Sequence, residues 1–110
     1  MSEPSFPSPA LVDELVRRIV AATQPLRIVL FGSAARGDMR PDSDLDTLVV
    51  VADGTHRRKT AALLSRVLWD IGVPKDIVVV TEGDVSLYRD EPSLVIQPAL
   101  TEGRELYRAA

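Results

Sequence analysis

The chain has 110 residues, a formal net charge of -3 and no cysteine, which allows one domain but excludes a disulfide framework and a thiolate zinc site. Its 45% hydrophobic and 26% charged residues describe an ordinary folded protein, with neither a membrane-length apolar run nor an export signal at the start. A net acidic chain lacks the concentrated Lys/Arg surface of an extended nucleic-acid interface, so the expectation is a cytoplasmic protein without membrane or broad nucleic-acid contacts.

Residues 1–7 are rich in Ser and Pro and are expected to form a disordered leader, leaving residues 8–110 as a single domain. Ser8-Pro9 matches an N-cap followed by Pro at the first helical position. Leu11, Val12, Leu15, Val16, Ile19 and Val20 then recur at helical spacing on one apolar face. Asp13 and Glu14 precede Arg17 and Arg18, which suits the helix dipole, and Thr23-Gln24-Pro25 ends the helix. Leu26 to Phe31 is a short apolar run and predicts a strand, with Arg27 its single charge.

The stretch Phe31-Gly32-Ser33-Ala34-Ala35-Arg36-Gly37-Asp38-Met39-Arg40-Pro41-Asp42-Ser43-Asp44-Leu45-Asp46 organises the chain. Gly32-Ser33 predicts a tight turn whose backbone N–H groups can meet a phosphate, and Ser33 to Gly37 a helical turn. Arg36 is divided between phosphate contact and a structural ion pair. Asp38 and Asp42 suit a solvated loop fixed by Pro41. The run Leu45 to Val51 predicts the central strand. Asp44 and Asp46 lie two residues apart at its start, so their side chains share one face. Two like charges so placed repel unless a cation joins them, and carboxylate oxygens are the preferred ligands of hard divalent ions.

Asp53-Gly54-Thr55 predicts a turn with Thr55 as the cap of the next helix. That helix carries Thr60, Leu63, Leu64, Val67, Leu68 and Ile71 on one side and is expected to stop at Gly72 before Pro74. His56, Arg57, Arg58 and Lys59 make a basic cluster at its start, read mainly as solvated surface; Trp69 falls outside the apolar stripe. Asp76 to Thr81 predicts a third strand, and a strand–helix–strand crossover makes it parallel or near to the central strand. Asp76 would then join Asp44 and Asp46 beside the glycine turn. Glu82 to Arg89 predicts a short helix, and Pro92 to Thr101 a further helix or two turns kinked at Pro98. Gly103 closes that element, and Leu106-Tyr107 packs the tail. Tyr88 and Tyr107 are assigned to packing.

The loop is no Walker A sequence and no GxGxxG fingerprint. Asp44-Leu45-Asp46-Thr47 echoes the DxDx[TV] of haloacid-dehalogenase-type phosphatases, but there the acids follow a strand and here they begin one. With Gly32-Ser33, the ten-residue gap to Asp44-x-Asp46 and the later strand-borne Asp76, the chain resembles the polymerase-beta type nucleotidyltransferases. The fuller form Gly32 to Gly37 with Ser43-Asp44-Leu45-Asp46 is similar to the stand-alone minimal nucleotidyltransferases, which include antitoxins paired with HEPN-domain toxins. The resemblance covers residues 10–107. It implies an α/β (α+β) minimal polymerase-beta-like fold: a short mixed sheet with helices mainly on one face.

The resemblance further implies that Asp44, Asp46 and Asp76 are catalytic and hold paired Mg²⁺ ions, and that Gly32 and Ser33 bind the donor's beta and gamma phosphates, with Arg36 the third candidate for nucleotide contact. The implied reaction moves AMP from ATP to a hydroxyl. Larger members of the superfamily carry an added domain for the base or the acceptor, which this length does not accommodate, so the acceptor surface is expected on a second polypeptide. In the antitoxin branch that partner is the HEPN ribonuclease, modified on a tyrosine. Two alternatives stand beside this reading: the catalytic half of a two-part enzyme acting on a small molecule or another protein, and a non-enzymatic module that blocks its partner by binding.

Overall fold

The computed structural model describes residues 5–110. Helix α1 (Pro9–Thr23) leads into strand β1 (Arg27–Phe31), the short helix α2 (Gly32–Arg36) and strand β2 (Leu45–Val51). Helix α3 (Arg57–Val67), strand β3 (Lys75–Thr81), helices α4 (Glu82–Tyr88) and α5 (Ile96–Glu102), and strand β4 (Arg104–Arg108) complete it. The strands form one mixed sheet in the order β3-β2-β1-β4. β2 pairs with β3 in parallel and with β1 antiparallel, while β4 pairs antiparallel with β1. The expected mixed α/β sheet is present.

Local sequence accounts for most element ends. The Ser8 side chain accepts the Leu11 N–H at 3.1 Å, and Pro9 opens α1, which stops where Gln24 turns left-handed. One correction concerns α3: its cap is His56, not Thr55. His56 Nδ1 accepts the Lys59 N–H, the bond a cap side chain makes, while Thr55 lies in the preceding turn, closed by its N–H to the Ala52 carbonyl. α3 also ends at Val67 rather than near Gly72. Leu68 remains buried in the following turn, and Trp69 there is 81% exposed, which explains its place outside the stripe. A second correction is the tail: Arg104–Arg108 is a strand along β1, with Tyr107 opposite Ile28.

Residues 1–4 lie outside the described residues, but Ser5 pairs as an isolated bridge with Met39.

The sheet has a core on each face. On one face Ile28, Leu30, Leu45, Val49 and Val51 pack against Leu15 and Ile19 of α1, Leu64 of α3 and the following Leu68. This is the side of the two longest helices. On the other, Val29, Leu48, Val50 and Val80 meet Val85 of α4 and Ile96 and Ala99 of α5. Burying a side chain of this size stabilises by about 1.5–3 kcal/mol, so both cores hold the strands in register. Alternation places Asp46 on the face of Leu48 and Val50, and Asp76 on the face of Val78 and Val80. The carboxylates therefore share the face of the short helices, at the starts of the strands.

Candidate active site

β2 begins one residue after Asp44, so the central strand lifts Asp46 into the sheet while Asp44 stays in the loop and exposed. The parallel pairing puts Asp46 directly opposite Asp76, and the antiparallel pairing puts Phe31 on its other side. The crossover through α3 therefore brings the third acid to its expected place. Asp76 is exposed and Asp46 half-buried.

The field at Asp46 records this crowding. Burial is the first cause pushing its carboxyl above the usual range, followed by the negative charges of Asp76 and Asp44, with Arg36 opposing. Two like charges at the starts of paired strands cost free energy. The site holds that cost in place because Leu45, Leu48 and Val49 around it are fully buried and fix the strand.

Above Asp46 runs the glycine turn. Gly32 has φ +68°, a backbone conformation side chains rarely adopt, and a Cβ there would collide with the Asp46 carboxylate oxygen. Both constraints select glycine. The turn leads at once into α2, whose first backbone N–H groups have no partner within so short a helix; Phe31 at its N-cap gives no side-chain bond. Gly32 and Ser33 thus bring backbone donors and one hydroxyl beside the carboxylates. Such an arrangement has the chemistry to suit a phosphate bridged to the acids by a cation.

Arg36 makes an ion pair with Asp38 at 3.1 Å and a longer one with Glu102 of α5 at 3.9 Å, and is half-exposed. The structural half of its expected role is therefore present, and its charge still reaches Asp46. Glu102 was not singled out in the sequence; nothing but the packing of α5 beside α2 brings it there. Asp38 serves as Arg36's partner, while Asp42 is exposed in the loop.

Among the described residues no group of three His, Cys, Asp or Glu side chains is placed to hold a metal ion. The donor chemistry nevertheless suits a hard divalent ion: Asp46 and Asp76 share one face of adjacent strands, and exposed Asp44 lies one residue before β2. The basic cluster lies elsewhere. Thr55, His56, Arg57 and Arg58 line an open cleft of about 510 Å³ beyond the C-terminal end of β2, roughly 17 Å along the strand from Asp46. Arg57 there pairs with Asp84 at 2.7 Å. The acids near that cleft are already engaged, Asp84 by Arg57 and Asp53 by the Gly83 N–H, whereas Asp46 and Asp76 face each other on adjacent strands beside Gly32, so the carboxylate end is the stronger candidate for chemistry.

No curated protein matches the chain in sequence. Among solved structures, one described as a candidate minimal nucleotidyltransferase is 29% identical over 86% of this chain and 88% of its own, with a TM-score of 0.59. A candidate nucleotidyltransferase from Sulfolobus solfataricus is 24% identical over 90% of this chain and 78% of its own, with a TM-score of 0.61. A toxin–antitoxin structure with AMP-PNP is 22% identical over 89% of this chain and 73% of its own, also at 0.61. The nucleotidyltransferase domain family model matches residues 12–99, a span that includes the glycine turn and all three aspartates. The chain belongs to the nucleotidyltransferase domain family.

Proposed function

We propose that the chain transfers AMP from ATP, with Mg²⁺, to a tyrosine hydroxyl on a separately encoded HEPN-domain ribonuclease, and so acts as the antitoxin of a toxin–antitoxin pair. The observation that carries the chemistry is the Asp46–Asp76 register beneath Gly32. The partner is supported by likeness to solved toxin–antitoxin structures, one with AMP-PNP and one of the pair MntA–HpeT. Asp44, Asp46 and Asp76 would hold two Mg²⁺ ions, which when bound lower the acceptor oxygen's pKa and neutralise the triphosphate. The backbone N–H groups at Gly32 and Ser33 bind and orient the beta and gamma phosphates. Asp76, exposed at the open edge of the site, faces the incoming hydroxyl and takes its proton. The acceptor oxygen then attacks the alpha phosphorus in line; the new P–O bond forms as the bond to pyrophosphate breaks. Arg36, held toward Asp38 and Glu102, keeps a positive charge near the departing phosphates.

Labelled ATP tests this. Incubated with Mg²⁺ and the co-expressed partner, alpha-labelled ATP should mark a partner tyrosine, and Asp44→Asn or Asp46→Asn should abolish the label while leaving the fold intact. Wild-type labelling by either variant would overturn the assignment of the site.

A further inference from the structure

The segment that leads into α1 crosses back over the loop between α2 and β2. Ser5 and Met39 exchange both backbone hydrogen bonds: the Ser5 N–H donates to the Met39 carbonyl and the Met39 N–H to the Ser5 carbonyl, each at 2.9 Å. One residue further, the outer edge of the Phe6 ring lies against Gly37, where an added Cβ would stand 2.8 Å from Phe6 Cε2 and Cζ. Gly37 closes α2 with φ +82°, so two features at once demand glycine there. Among the described residues, the other backbone ties of residues 38–43 are local. The Asp38 N–H reaches the Ser33 carbonyl, and Arg40 and Ser43 close a turn on each other. Without the N-terminal segment, the backbone groups of Met39 would face water at the middle of the loop.

That loop joins the phosphate turn at one end to Asp44 at the other. We propose that Ser5–Pro7 is a strap that positions this loop, with Phe6 as its positioning residue, so that Asp44 is held at a fixed reach from Gly32 and Asp46. The role in catalysis rests on the function proposed above; the strap itself does not. Phe6 is 57% exposed, so it is a latch on the loop rather than a member of either core, and its removal should leave the fold standing. The two bonds tie the middle of the loop at Met39, and the ring rests against its start at Gly37. Asp44 lies outside β2 and has no strand pairing of its own to place it, which is why it needs the strap while Asp46 does not.

The test uses the full chain with Phe6→Ala, Phe6→Leu as conservative control, and Ser5→Pro, which deletes the N–H donated to Met39. Hydrogen exchange, read without nucleotide, should show the Met39, Arg40, Asp42 and Ser43 amides exchanging roughly tenfold faster in Phe6→Ala and Ser5→Pro, with the β1 and β2 amides unchanged and Phe6→Leu near wild type. Unchanged loop exchange in both variants would overturn the strap. In the transfer assay, Phe6→Ala should lower kcat roughly fivefold with little change in melting temperature, and Phe6→Leu should restore it. Faster loop exchange with wild-type transfer would overturn the positioning role alone. A wild-type chain with no transfer at all would count against the proposed function, while the exchange result would still decide the strap.

Discussion

At the scale of single residues, Asp46 is where structure and chemistry conflict most. Its carboxyl is raised above the ordinary value by burial and then by Asp76 and Asp44. A raised carboxyl pKa means the folded state holds its proton more tightly than the unfolded state, so stability falls as pH rises through the interval between the two values. At neutral pH and without metal, ionised Asp46 therefore destabilises the fold. Asp46→Asn should raise the melting temperature of the metal-free protein at pH 7 by roughly 1–3 °C, and the gain should vanish below the unfolded carboxylate range. With Mg²⁺ and ATP the order should reverse, because only the wild type gains from binding. Calorimetry at pH 7 and pH 3, with and without Mg²⁺-ATP, reads all of these. A metal-free Asp46→Asn variant less stable than wild type at pH 7 would refute this account. The acids themselves were legible from the sequence because carboxylates two apart at the start of an apolar run must share a face. Arg36 was legible only in part: an ion pair under the loop is expected and Asp38, two residues on, supplies it, but Glu102 is sixty-six residues away and spacing says nothing of it.

At the scale of elements, legibility followed hydrophobic patterning. β1, β2 and β3 are apolar runs bounded by breakers, and their positions and the β2–β3 parallel pairing agree with the sequence reading. β4 is Arg-Glu-Leu-Tyr-Arg, an edge strand with charges at most positions, which protects its open side from further pairing and erases the alternation that marks a strand. The sequence pattern therefore predicts only a packed tail there. Its position depends on Gly103. A Cβ there would meet the Ala99 carbonyl, Val29 Cγ1 and the Leu30 carbonyl, the last at 2.9 Å. The backbone is extended at this point, so the obstacle is space and not conformation. Gly103→Ala should force α5 off β1 and cost about 1–3 kcal/mol, read as a lower urea midpoint with an unchanged slope. Because α5 carries Glu102 beside Arg36, the same variant should also weaken nucleotide binding. A midpoint equal to wild type would mean that the α5–β1 contact yields freely. The cap of α3 shows the same limit on a smaller scale: Thr55 is a better cap by residue type than His56, but the helix starts one residue later and the His56 side chain takes the cap bond.

At the scale of the whole molecule, the distribution of cover decides what can approach. The face bearing α1 and α3 is closed by the larger core. The carboxylates lie on the opposite face, where α4 and α5 cover the sheet interior but leave Asp76 and Asp44 exposed. No helix among the described residues is long and apolar enough to cross a membrane. Under the proposed function, an acceptor comes to this open end. Binding the proposed partner and modifying it are then separable, because a protein interface of ordinary size spans some 800 Å² per partner, far beyond three carboxylates. A chain carrying Asp44→Asn, Asp46→Asn and Asp76→Asn together should still co-purify with the HEPN partner. The partner's intact mass should stay that of the unmodified protein and its ribonuclease activity should persist, whereas the wild-type chain should add whole AMP units and silence it. Each lost charge leaves a neutral side chain of the same shape, so loss of binding by the triple variant would place the partner directly on the carboxylates. Full silencing by that variant, with no mass change, would instead make occlusion the mechanism and the aspartates dispensable to it.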